Sequence, residues 1–248
     1  MKITPIHTNI IDPQHAPNIN SILDQYLPPI KQPTIIAVTS KLVAICEKRI
    51  IDPQAIDKET LIKQEADYYL PSSHSRYNIM LTIHHHTLIP AAGIDESNAN
   101  GYLIPWPADP QQSANQIREY LHQKYPDNSI GIIITDSTVT PLHWGTTGIA
   151  IAHSGFLALK NYIGQPDIFN QQMKVTMANH ANALAAAATL VMGEGAEQTP
   201  IAIIEDTPFI QFQDRNPSPD ELKKMVIDPA DDLYAPLLQA VPWQRKIK

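Results

Sequence analysis

Short β-branched runs alternate with amphipathic stretches along this chain, and prolines close most of them. Thr34-Ile-Ile-Ala-Val-Thr39 lies between a proline-rich turn and Ser40 and predicts a buried strand. Ile130-Gly-Ile-Ile-Ile-Thr135 is apolar on both faces, which places it in the middle of a sheet. Pro200-Ile-Ala-Ile-Ile204 predicts a further strand. From Asp57 to Tyr69, the residues Leu61, Ile62, Ala66 and Tyr69 make an amphipathic helix that Pro71 closes. Ile79-Met-Leu-Thr-Ile-His-His-His86 alternates loosely and predicts a strand carrying three histidines. Asp109-Pro110 has the chemistry of a helix start, because Asp accepts from first-turn amides and Pro lacks the N–H that would go unused there. That helix is expected to run to Tyr125 with Ala114, Ile117 and Leu121 inward. Val175 to Met192 predicts an alanine-rich helix whose Ala178, Ala181, Ala185 and Ala188 let another backbone approach, with Gly193 as its stop.

These elements interleave without the regular alternation of a Rossmann chain, so the expected class is α+β, a mixed sheet with packed helices. No repeat or low-complexity linker divides residues 1–248, which read as one unit. From Asp206 to Lys248 the chain reads as a C-terminal tail, in which Pro217-Ser-Pro-Asp-Glu221 opens a short helix and Trp243–Lys248 forms a solvated basic end. A hydrophobic share of 43% with 17% charged residues suits a packed core. The net charge of -7 excludes a nucleic-acid partner, which demands a cationic face. An anionic substrate would have to be held locally, by a metal or by backbone amides. The lone Cys46 rules out an internal disulfide, and no stretch reaches the roughly 20 apolar residues of a membrane helix. With no signal-peptide pattern at the start, the expectation is a cytoplasmic protein with no membrane partner.

Three acidic positions carry candidate chemistry. Asp136 is expected to emerge at the end of the central strand beside Ser137, and a carboxylate next to a hydroxyl suits a hard divalent cation. An Asp capping its own turn fits the same position. Asp95 lies in Ala91-Ala-Gly-Ile-Asp-Glu-Ser-Asn98, which reads either as a metal ligand with Ser97 and Asn98 facing a phosphate or ribose, or as a tight Asx turn. Glu194 sits between Gly193 and Gly195, where a backbone can approach a ligand, or where a helix simply ends. His84, His85 and His86 would point to alternate sides of a strand with no cysteine nearby, which favours structural roles over zinc. No phosphate-binding glycine loop is present, and Cys46 has no histidine near it in sequence.

Taken in order, Ala92-Gly-Ile-Asp-Glu-Ser-Asn98, Leu103-Ile-Pro-Trp-Pro-Ala-Asp-Pro-Gln-Gln-Ser-Ala114, Ile134-Thr-Asp-Ser137, Gly145-Thr-Thr-Gly-Ile-Ala-Ile151 and Ala185-Ala-Ala-Ala-Thr-Leu-Val-Met-Gly-Glu194 resemble the coenzyme F-420 gamma-glutamyl ligases over roughly residues 34–205. The resemblance implies an intertwined homodimer and a GTP-dependent ligase that uses Mn²⁺ or Mg²⁺. Its substrates would be L-glutamate and an anionic, phosphodiester-linked acceptor like coenzyme F-420-0. It assigns Asp95, Asp136, Ser137 and Glu194 to the metal and Ser40 and Asn98 to the nucleotide. Ile45 and Thr140 replace a lysine and an arginine of the family pattern, for which Lys41, expected to bind the nucleotide with Ser40 and Asn98, and Lys48 could compensate from nearby. A Gly-Arg of the family pattern is Asn170-Gln171 here, and its Asp-Glu before the alanine run is Asn182-Ala183. Losing several charge-assisted contacts, each worth roughly 1.5–3 kcal/mol, leaves open a non-catalytic protein that binds nucleotide or metal on the same fold.

Overall fold

Alternate residues of Thr34–Thr39, strand β2, point to opposite sides of a sheet, and both sides are covered. The structure is a computed structural model and describes residues 1–246. Strand β1 (Lys2–Ile6) and helix α1 (Ile19–Tyr26) precede β2, and helix α2 (Ser40–Cys46) follows it. Next come α3 (Lys58–Glu65), the short strands β3 (Tyr68–Tyr69), β4 (Leu81–His84) and β5 (Thr87–Pro90), and α4 (Pro110–Lys124). Strands β6 (Ile130–Val139), β7 (Thr146–Ser154), β8 (Leu159–Asn161) and β9 (Met177–Asn179) lead to α5 (His180–Met192) and β10 (Ile201–Glu205). The tail holds α6 (Pro219–Lys223), α7 (Ala235–Leu238) and β11 (Gln244–Arg245).

The main sheet runs β1-β10-β2-β6-β7, with β2 and β6 parallel and the other neighbours antiparallel, so it is the mixed sheet expected. On one face Ile36, Val38, Ile132 and Ile134 pack under α1, α2 and α4 through Ile22, Leu42, Ile117 and Leu121. On the other, Ile35, Ala37, Ile133 and Ile204 pack under α5 through Ala181, Leu184, Ala185 and Ala188. Each of the isoleucines, leucines and valines, fully withdrawn from water, contributes about 1.5–3 kcal/mol before chain entropy is charged against it. A second sheet, β11-β3-β4-β5, packs with α3 around Leu61, Ile62, Tyr69, Met80 and Ile94.

Several boundaries differ from expectation. The helix from Asp57 stops at Glu65, and Tyr68–Tyr69 turns into β3, paired with β4. The histidine strand is a hairpin: β4 ends at His84, and His85 and His86 form its two-residue turn at φ 46 and 57 before β5. Two positive φ angles match the twist of the flanking strands. The strained turn is held by the His85 amide, which donates to Asp67 Oδ2 at 2.9 Å. The alanine helix starts at His180, where Asn179 caps it by accepting from Asn182 N, and Met177–Asn179 belongs to β9. Strand β6 continues to Val139 because β7, which the sequence pattern did not announce, pairs along its whole outer half. Gln244–Arg245 is not a free end but pairs with β3, while Ile247 and Lys248 at the end of the basic cluster lie outside the described residues.

Candidate functional site

A cavity of ≈ 1170 Å³ opens where β2 hands over to α2 and where β6 passes the 93–98 loop. Residues 8–13 and 193–200 complete its wall, and the Thr8 amide donates to the Gln198 carbonyl at 2.8 Å to hold these two segments together. Ser40, Lys41, Asp95, Asn98, Asp136, Ser137 and Glu194 all line it. The seven positions singled out in the sequence therefore share one site, although they span more than 150 residues of chain.

Asp136 does not follow the strand, as expected, but sits within β6, just beyond a bulge at Ile134/Thr135 that re-aims the strand. Burial raises its pKa to about 6. The Trp106 indole, the Ser137 amide and the Ser40 hydroxyl hydrogen-bond it and oppose that rise, while the nearby Asp95 charge adds to it. Asp95 behaves differently. Burial pushes its carboxyl up, but Lys41 Nζ at 2.6 Å from Oδ2 and the Ser97 amide at 2.7 Å from Oδ1 bring it below the ordinary value. Lys41 also donates to the Ser97 carbonyl at 2.7 Å, so its ammonium occupies the space in front of Asp95. Ser137 Oγ lies 2.8 Å from both oxygens of Glu194. The Asn98 amide donates to the Gly195 carbonyl at 2.8 Å, tying the 93–98 loop to the 193–195 turn.

The carboxylates are thus strung along the cavity wall. Among the described residues, no three His, Cys, Asp or Glu side chains gather into a group that could hold a metal. Asp95, Asp136 and Glu194 share the cavity wall, where Lys41 neutralises Asp95 and Ser137 engages Glu194. The donors are all hard oxygens, carboxylate and hydroxyl, which suit Mg²⁺ or Mn²⁺ and not a thiophilic metal. Lining carboxylates also include Asp12, Glu59, Glu96 and Glu197, against two lysines, Lys41 and Lys58, each of which is paired with a carboxylate. This anionic balance repels a polyphosphate unless cations come with it.

Lys48 does not compensate for the replaced lysine. Its ammonium donates to the Ala16 carbonyl at 2.6 Å and lies outside the cavity lining. Ile45 is buried in the wall, so an apolar side chain stands there. Thr140, Asn170, Gln171 and Ala183 are exposed away from the cavity of their own chain, and Asn182 accepts from the Ala150 amide at 3.1 Å. Burial pushes the Cys46 thiol up to about 12, which leaves it unreactive. Trp106 was missed as a site residue. Its signal was an aromatic clamped between Pro105 and Pro107 just after the Asp95 loop.

The model of the F420-0:Gamma-glutamyl ligase family matches residues 6–206, beginning nearer the N-terminus than the motifs alone suggested and ending where the tail starts. A Coenzyme F420:L-glutamate ligase of Methanococcus maripaludis strain C7 is 29% identical over 229 residues, covering 86% of this chain and 91% of that protein. That of Methanocaldococcus jannaschii is 32% identical over 212 residues, covering 77% and 83%. One from Methanosarcina mazei is 39% identical over 129 residues, about half of each chain at 52% and 50%. With the family model spanning four-fifths of its length and relatives such as these aligned along most of it, the chain belongs to the F420-0:gamma-glutamyl ligase family.

Proposed function

We propose that this protein forms an amide bond between L-glutamate and a coenzyme F-420-0-like acceptor, driven by GTP and a divalent cation, Mn²⁺ or Mg²⁺. The observation that carries the reading is the meeting of Asp95, Asp136, Ser137 and Glu194 on one cavity wall, with Ser40 and Lys41 beside them. The acceptor carboxylate attacks the γ-phosphorus of GTP. An O–P bond forms, the β–γ bridging bond breaks, and GDP leaves with its electron pair. The glutamate amine then attacks the acyl carbon, phosphate departs, and the amine loses a proton. A divalent cation supplies charge neutralisation for the transferring phosphoryl group. Asp95, Asp136 and Glu194, which are not clustered as they stand, would have to close together to hold it. Lys41, now paired with Asp95, would serve a phosphate oxygen, and Ser40 and Asn98 would orient the nucleotide. A non-catalytic nucleotide- or metal-binding role is favoured by one observation, Ile45 in place of a cation in the wall. Incubation with F-420-0, glutamate, GTP and Mn²⁺ separates the two by mass spectrometry of the acceptor. A gain of one glutamyl group is expected. Stabilisation by Mn²⁺ and GTP without product would leave the binding role standing.

The same reading takes the protein as a homodimer. The β6–β7 arm ends in Leu142 and Trp144, 103% and 91% exposed, and the β8–β9 ribbon carries Ile168 and Phe169, 91% and 76% exposed. Apolar side chains displayed on projecting hairpins are normally covered by a partner. Sedimentation at micromolar concentration is expected to show a dimer, and Leu142→Ser with Trp144→Ser to shift it towards monomer. A wild-type protein that sediments as a monomer would end this reading.

A further inference from the structure

We propose that Trp106 is a positioning residue for Asp136, fixing the carboxylate in the orientation in which it receives a cation. This rests on Asp136 being a cation ligand, the reading given above. The indole is 1% exposed and sends its single N–H to Asp136 Oδ2. Indole is a donor only, so it can steer a carboxylate oxygen but never compete with that oxygen for a metal. Burying the ring would need no nitrogen at all. A phenyl ring would serve as filler, whereas an N–H aimed at a carboxylate of the cavity wall orients it.

The surroundings are built around that contact. Pro105 and Pro107 flank the residue and restrict its backbone. Arg49 Nε donates to the Trp106 carbonyl at 2.7 Å, and Glu65 holds the same guanidinium at 2.8 Å. Behind the indole lies the buried His84 ring, 4.9 Å away between centroids and tilted by 38°. Burial lowers the His84 pKa to about 4, so this backing is uncharged at neutral pH and does not draw on the Asp136 charge. In front, Gly93 adopts φ +71, and a Cβ there would clash with the edge of the indole, 2.7 Å from Cδ1 and nearer still to Nε1. Gly93 lies two residues before Asp95, so the loop carrying one candidate ligand is shaped to let the indole reach the other. Trp106 therefore sets the geometry of Asp136 through a contact for which the Asp95 loop leaves room.

Two measurements test this, and neither uses turnover. The first is Mn²⁺ affinity without nucleotide, by electron paramagnetic resonance, for wild type and Trp106→Phe. Trp106→Phe is expected to bind Mn²⁺ about 10–100-fold more weakly, the usual loss when an outer partner of a ligand is removed. A merely structural Trp106 would lower the melting temperature and leave the affinity of the folded protein unchanged, and that result overturns the proposal. The second uses wild type with ¹⁵N-labelled tryptophan, and so holds if the variant does not fold. During a Mg²⁺ titration the Trp106 indole resonance is expected to shift while those of Trp144 and Trp243 stay in place. A stationary Trp106 resonance at saturating Mg²⁺ overturns the proposal as well. Wild type that binds neither ion removes the cation reading of Asp136 and this inference with it. Wild type that binds with an unperturbed Trp106 removes the inference alone.

Discussion

Asp136→Asn is expected to abolish Mn²⁺-dependent nucleotide binding and ligation while leaving the empty protein as stable as wild type or more so. Loss of an outer-sphere partner alone costs about 10–100-fold in metal affinity, so loss of a ligating carboxylate should exceed that. Stability moves the other way because of where the group sits. In the folded chain its pKa stands at about 6, against 3.8 for an unperturbed carboxyl, with burial as the main cause. A raised carboxyl pKa means that the folded state prefers the proton. The stabilisation is complete below pH 3.8 and is lost as pH rises through 6. At about 1.4 kcal/mol per unit, the ionised carboxylate costs the fold on the order of 2–3 kcal/mol at pH 7. Asn carries no charge, and its carbonyl oxygen can still accept from the Trp106 indole.

Two measurements check this together. Thermal unfolding without metal should show the variant at or above wild type at pH 7, with the difference shrinking towards pH 4. A titration with Mn²⁺ and GTP should raise the melting temperature of wild type only. A variant that still binds Mn²⁺ and GTP with wild-type affinity would remove Asp136 from the site. One that is destabilised at pH 7 would show that the ionised carboxylate, not its burial, is what the fold needs. The same sign governs wild type, since a cation takes the ionised form and its affinity should rise as pH passes 6.

What the sequence made legible was local. The apolar runs of β2 and β6 declare central strands, and Asp109-Pro110 starts α4 as its chemistry requires, with Asp109 Oδ1 accepting from Gln112 N at 2.9 Å. The spacing of alanines in α5 gives the face that packs on the sheet. What was not legible depended on distant partners. Strand β7 has no strong pattern of its own, and its pairing with β6 is what keeps Asp136 and Ser137 inside a strand. Strand β1 contains Pro5, which argues against a strand until it is seen at the sheet edge. His85-His86 carries no turn signal, and only the Asp67 contact accounts for a two-residue turn there. At the site, the acidic residues could be named because their side chains advertise metal chemistry. Lys41 lying across Asp95 and Trp106 bonded to Asp136 depend on neighbours 54 and 30 residues away, which composition and spacing do not encode.

Gly148→Ala is expected to cost the fold substantial stability, and the reason lies where α5 crosses β7. A Cβ at Gly148 would overlap the Thr189 hydroxyl, sit 2.6 Å from Thr189 Cγ2 and lie 2.7 Å from the Ala185 carbonyl oxygen. Rotation of Thr189 can relieve the first two contacts, but the third is helix backbone and yields only if α5 moves. Overpacking of this kind costs about 1–3 kcal/mol, and a backbone obstacle puts the change near the top of that range. For a chain of this size the melting temperature should fall by on the order of 6–12 °C. Adding Thr189→Ala removes the side-chain contacts and leaves the carbonyl, so the double variant should recover part of the loss and not all of it. Full recovery would mean that α5 can slide, and no loss in the single variant would mean that it does not pack this closely. The consequence reaches the site, because Gly148 pairs with Ser137 across the strands and α5 ends one residue before Gly193-Glu194. A displaced α5 would draw Glu194 away from Ser137 Oγ, so Gly148→Ala should also weaken Mn²⁺ binding in the fraction that remains folded, although residue 148 holds no ligand itself.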